Sequence, residues 1–99
     1  MVYVSGQAGL PADNVKEQTT KILENIKKLV EAAGGKVSNI VKITVYLKNI
    51  KDFNNMNLAY KKFFNDNDVT EKFPARTTVE ASNLPIADML VEIDCVAIL

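Results

Sequence analysis

Arg76, which follows Pro74-Ala75, and the two carboxylates of Val91-Glu92-Ile93-Asp94 are the side chains whose type and spacing most invite chemistry. An Arg offers a rigid fork that binds a carboxylate bidentately, so Arg76 is a candidate anchor for a small anionic substrate. Glu92 can accept a proton from water. Gly6 is a glycine at which backbone can approach another group closely, Asn57 stands beside the second helical stripe, and Thr78 follows Arg76 on one face of a strand. The sequence has no His and one Cys, Cys95, so neither a zinc site nor a Ser–His or Cys–His nucleophile is expected. No metal or cofactor is expected either. Chemistry run on carboxylates, Arg, Lys, hydroxyls and backbone groups suits a reaction with a low intrinsic barrier.

Composition narrows the partners. Twelve basic and twelve acidic side chains give zero formal charge, so no net field draws the chain to nucleic acid or to an anionic bilayer. No apolar run approaches the roughly 20 residues that span a membrane, and the first residues lack the pattern of a secretory signal. A cytoplasmic location is the expectation. Ninety-nine residues at 47% apolar content fit one domain, 1–99, with a real core.

The elements that must position these residues follow from periodicity. Val2 to Gln7 reads as a first strand ending near Gly6. Val15, Ile22, Ile26, Leu29, Val30 and Ala33 recur at helical spacing with Thr19, and the capping pattern of Asn14 with Glu17 and the Gly34-Gly35 stop predict a helix at about 14–33. Ile40 to Lys48 alternates as a strand, with Val41, Ile43, Val45 and Leu47 on one face. Asp52 is the expected N-cap of a second helix carrying Phe53, Met56, Tyr60, Phe63 and Phe64, a stripe that reads as core. After a polar loop from Asn65 to Lys72, the last two strands run from Ala75 to Ala81 and from Met89 to Leu99. The order is β-α-β-α-β-β, an α+β arrangement.

In the last strand Val91, Ile93, Cys95, Ala97 and Leu99 form an apolar face for the two helices, which also makes Cys95 a small buried hydrophobe. Its other face, Leu90, Glu92, Asp94, Val96 and Ile98, mixes apolar residues with two carboxylates and has no intrachain cover, so a second subunit is its expected lid. On the third strand Arg76, Thr78 and Glu80 share a face. Arg76 and Glu92 are expected close together on the half-polar side, either as a structural ion pair or as substrate anchor and base. Gly6 reads as the end of a strand and Asn57 as a polar helix residue bonding a neighbouring carbonyl. Lys27-Lys28 and Lys61-Lys62 read as solvated helix faces.

The ordered set Val4-Ser5-Gly6-Gln7, Glu31-Ala32-Ala33-Gly34, Val41-Lys42-Ile43-Thr44-Val45, Asn57 through Phe64, Phe73-Pro74-Ala75-Arg76 and Val91-Glu92-Ile93-Asp94 resembles the reactive-intermediate deaminases of the YjgF type, also grouped as endoribonuclease L-PSP-like proteins. The resemblance covers essentially the whole chain. It implies a chorismate-mutase-like fold with two helices on one sheet face, a homotrimer, and active sites in clefts between subunits. It implies a hydrolase of the 2-iminobutanoate/2-iminopropanoate deaminase type, converting 2-imino or 2-aminoacrylate-type acids to 2-oxo acids and ammonia. Arg76 matches the family's carboxylate-binding Arg and Glu92 the carboxylate that orients or deprotonates water; Ser5, Gly6 and Asn57 match positions that line or support the pocket, and Thr78 stands where many relatives carry Cys. Two departures are expected: the family's N-terminal strand and its Tyr- or Ser-bearing loop fall before Val2, and the loop from Ala8 to Asn14 is shorter. A non-catalytic trimeric module that binds 2-oxo acids, or a chaperone-like protein, is the rival reading.

Overall fold

The computed structural model describes residues 1–99. Its elements are β1 (Val2–Gln7), α1 (Val15–Ala32), β2 (Ile40–Leu47), α2 (Phe53–Asp66), β3 (Ala75–Glu80) and β4 (Val91–Ala97), with one 3-10 turn before β2 and another before α2. The β-α-β-α-β-β order predicted from periodicity is the order found.

Local chemistry sets the ends of α1. The Asn14 side chain accepts a hydrogen bond from the Glu17 amide at 2.9 Å, satisfying a free N–H of the first turn. At the other end Gly34 adopts φ +92°, and the Gly34 and Gly35 amides donate back to the Glu31 and Val30 carbonyls. The entry to α2 differs from expectation. Asp52 has φ −81° and ψ 1°, a turn conformation that does not carry its carboxylate over the following amides, and its side chain makes no cap. Instead Asn49 accepts from the Lys51 amide, and the Glu80 carboxylate of β3 accepts from the Ile50 amide at 2.8 Å. The start of α2 is thus tied to β3.

The sheet order is β1-β4-β2-β3, with β2 and β3 parallel across the α2 crossover and the other pairs antiparallel. Ile43, Val45, Leu47, Val91, Ile93, Cys95 and Ala97 face the helices. They pack on Ile22, Leu23, Ile26 and Val30 of α1 and on Met56, Tyr60, Phe63 and Phe64 of α2. The opposite face carries Lys42, Thr44, Tyr46, Thr77, Val79, Glu92, Asp94 and Val96, over which no helix passes. Three residues leave their predicted faces. The register shifts between Ile40 and Lys42, turning Ile40 into the core and leaving Val41 41% exposed. β4 stops at Ala97, so Leu99 lies beyond the ladder and is 54% exposed, while Leu90 leans on the core.

A buried amide joins the loops around the strand ends. Gln18 is almost fully buried, yet every polar atom of its side chain is bonded: its amide nitrogen donates to the Ala12 and Asp88 carbonyls and its oxygen accepts from the Leu90 amide. Nearby, β1 is irregular between Val4 and Gln7, which brings Gly6 against Glu92. A Cβ at Gly6 would overlap the Glu92 carboxylate and sit 2.8 Å from its Cδ. A side chain at this position would have to push the end of Glu92 aside, a matter of close approach rather than of φ.

Two outcomes follow from this packing. Gly6→Ala is expected to cost about 1 kcal/mol or less, because the end of Glu92 can swing aside. In a Glu92→Ala background that cost should largely vanish, a coupling that denaturant unfolding of the four proteins measures directly. Cys95 gives a pH signature: burial, then the negative charge of Asp94, pushes its thiol from 9.0 up to about 11. Below pH 9 both folded and unfolded chains keep the thiol protonated, and between roughly 9 and 11 only the unfolded chain ionises. Stability should therefore fall as pH rises through that window, and fall less in Cys95→Ala.

Candidate functional site

α2 and β3 meet in a cleft of about 310 Å³ lined by Asn57, Tyr60, Lys61, Phe73, Pro74 and Arg76. Its size falls at the small end of the roughly 300–1,000 Å³ typical of small-molecule sites. Asn57, Tyr60 and Lys61 stand at i, i+3 and i+4 on one face of α2, so a single helical turn presents all three. Arg76 reaches them from the edge strand β3.

Arg76 is held without a carboxylate. One guanidinium nitrogen donates to the Asn57 side-chain oxygen at 2.7 Å. The guanidinium carbon lies 4.6 Å from the Tyr60 ring centroid and 5.4 Å from that of Phe53. Stacking on ring faces steadies a cation while leaving its other N–H groups free. The chain's one ion pair is elsewhere, between Lys62 and Asp66. Burial pushes the Tyr60 phenol up to about 12, against an opposing pull from Arg76, so the ring remains neutral beneath the cation. The Tyr60 hydroxyl and the Thr78 hydroxyl are both buried with no hydrogen-bond partner in the chain.

Arg76 and Glu92 are not neighbours on one face, contrary to expectation. Arg76 pairs with Ile43, which pairs with Cys95, and these point to the helices. Glu92 pairs with Tyr46, which pairs with Val79, on the uncovered side. Alternation places adjacent positions on opposite faces, and the parity of β3 relative to β4 is set by pairing through β2, which cannot be read from either strand alone. The ion-pair reading is thereby removed. Thr78 shares the helix-side face with Arg76, and Asn57 joins it across the cleft. Gly6 belongs with Glu92, whose carboxylate it underlies, while Ser5 beside it is exposed, its backbone carbonyl accepting from the Gln7 side-chain amide at 3.0 Å.

The uncovered face brings further polar groups together. The Asp94 charge, helped by desolvation and by Glu92, raises the Tyr46 phenol above its usual range. Lys42 donates to the Thr77 hydroxyl at 2.9 Å. Tyr60 and Phe53 were expected only as core, and Lys61 only as a solvated face. The signal that places them at the site was the i, i+3, i+4 spacing from Asn57. No group of three or more His, Cys, Asp or Glu side chains is arranged to hold a metal.

The sequence and the fold are both shared with known proteins. The family model described as endoribonuclease L-PSP matches residues 1–99. A 2-iminobutanoate/2-iminopropanoate deaminase of Salmonella typhimurium is 43% identical over 104 residues, spanning 99% of this chain and 79% of that protein. Among solved structures, the YjgF gene product of E. coli superposes with a TM-score of 0.90 at 39% identity, covering 97% of this chain and 78% of that one. E. coli TdcF with bound serine gives a TM-score of 0.89 at 36% identity, over 98% of this chain and 79% of the other. With the sequence match running from end to end, and solved relatives sharing the helix-backed sheet, the chain belongs to the endoribonuclease L-PSP family.

Proposed function

We propose that this chain hydrolyses small 2-imino and enamine acids of the 2-aminoacrylate type to 2-oxo acids and ammonia, in clefts between the subunits of a homotrimer. The observation that carries the reading is Arg76: a guanidinium with no carboxylate partner, braced by Asn57 and two rings at a cleft of substrate size. A relative named as a 2-iminobutanoate/2-iminopropanoate deaminase supports it, as does a structural neighbour solved with an amino acid bound. The family's description also names an endoribonuclease, but equal numbers of acidic and basic side chains give no field that favours a polyanion.

In this reading the substrate carboxylate takes the free side of the Arg76 fork, leaving the iminium carbon beside the carboxylate of Glu92 from a neighbouring subunit. Water adds to that carbon as Glu92 accepts its proton. The same proton then passes to the nitrogen of the carbinolamine, the C–N bond breaks with release of ammonia as the carbonyl forms, and Glu92 takes the hydroxyl proton and passes it to the departing ammonia, giving ammonium. The iminium supplies the electrophile, so positioning and one proton shuttle suffice. Thr78 lies next along the Arg76 face of β3, and Gly6 lies against Glu92.

Opposite faces within one chain mean that a site containing both groups needs two chains. Freshly generated 2-iminobutanoate should release ammonia and 2-oxobutanoate faster with the protein than without it, and no acceleration would sink the proposal. Arg76→Ala should cost about 2–5 kcal/mol of substrate interaction, and Arg76→Lys should recover little because a point charge lacks the fork. Glu92→Gln should lower kcat far more than it weakens binding of the 2-oxo product. Mixing the Arg76→Ala and Glu92→Gln chains before assembly should restore about a quarter of wild-type turnover, since one interface in four then pairs two intact halves. No recovery in verified mixed trimers would place both groups in one chain's site. Val96→Asp, which sets a charge on the uncovered face, should disrupt assembly more than Lys28→Asp; a monomeric wild type at micromolar concentration would refute the trimer.

A further inference from the structure

We infer that the Arg76 cleft favours acids that carry a second carboxylate, recognised by Lys61, so that its substrates include short 2-imino dicarboxylates. This rests on the reading that Arg76 holds the carboxylate next to the reacting carbon. Two of the six residues lining the cleft, Lys61 and Arg76, are cationic, and none is acidic. Lys61 has no compensation on its own helix: the positions three and four residues away are Leu58, Asn57, Phe64 and Asn65. Lys62, its neighbour, shows the contrast, because Asp66 stands four residues on and pairs with it at 2.7 Å. Lys61 makes no ion pair, and Arg76 is satisfied only by a neutral amide and ring faces.

Two like charges on one cleft repel each other unless an anion lies between them. A monocarboxylate answers one of them. A dicarboxylate answers both, and the surfaces of Tyr60, Phe73 and Pro74 give its aliphatic chain an apolar wall. The same chemistry then runs at one end: the 2-imino dicarboxylate and water give the 2-oxo dicarboxylate and ammonium, with no further reactant.

The matched probes are 2-oxopentanoate and 2-oxoglutarate, which differ only in a terminal methyl against a carboxylate. Titrated into the full chain at low ionic strength, 2-oxoglutarate should bind about three- to fivefold more tightly, the range open to a partly exposed ion pair. Added KCl should shrink that advantage, as screening requires. Lys61→Met should erase the preference and Lys61→Glu should reverse it, with thermal unfolding confirming that both variants fold. Equal affinities in the wild type, or a preference that survives Lys61→Met, would overturn this inference and leave the Arg76 reading standing. If neither acid binds the wild type, the Arg76 reading falls and this inference falls with it.

Discussion

Burial of Val91, Ile93, Cys95 and Ala97 beneath the helices is the constraint on which the rest of the structure depends. β4 lies between β1 and β2 in the sheet, and strand geometry sends alternate side chains to opposite faces. Once that apolar row is committed to the core, Glu92, Asp94 and Val96 have no choice of side. The ladder passes the same parity through β2 to β3, where it turns Arg76 and Thr78 towards the helices and Thr77 and Val79 away. A one-residue slip in β3 would bring Arg76 onto the open face and bury Thr77 and Val79 beside α2. The tie between Glu80 and the Ile50 amide helps hold that register, because it couples the far end of β3 to the start of the helix that presents Asn57 and Tyr60.

The electrostatics at Arg76 are unusual for a partly buried cation. Most such groups are paired with a carboxylate, since an uncompensated charge away from water is costly. Here the compensation is an amide oxygen and two ring faces, which stabilise the guanidinium without neutralising it. Tyr60 cannot serve as a counter-ion: burial keeps its phenol protonated up to about 12. The residual positive charge remains directed into the cleft.

Much of this was legible in the sequence, for physical reasons that differ between elements. α1 was readable because the Asn14 cap, the apolar stripe and Gly34 all point to the same boundaries, and local signals of that kind act within a few residues. The order of elements and the two-faced character of β4 were equally plain. The entry to α2 was not, since its anchor, Glu80, comes from a strand far along the chain. Val41 was misplaced because a register shift follows the pairing of β2 with β4 rather than any residue preference. At the site, the residue types Arg76, Asn57 and Glu92 were identifiable, yet their grouping was wrong. Which strand mediates between β3 and β4 is a property of topology, and it decided that Arg76 meets Asn57 and Tyr60 instead of Glu92.

That separation bears on what the two groups can do. Had Arg76 and Glu92 lain side by side, each would have satisfied the other: the fork would have been occupied, and the nearby cation would have favoured the ionised carboxylate and weakened it as a base. On opposite faces neither satisfies the other within one chain, which leaves both free for the roles proposed for them. The sheet between them prevents their pairing within a chain, and Gly6 leaves room for the Glu92 carboxylate beside β1. In the proposed reaction substrate and water would enter between the two groups only where one chain meets another. Assembly would then create the site and keep its anchor and base from neutralising each other before substrate arrives.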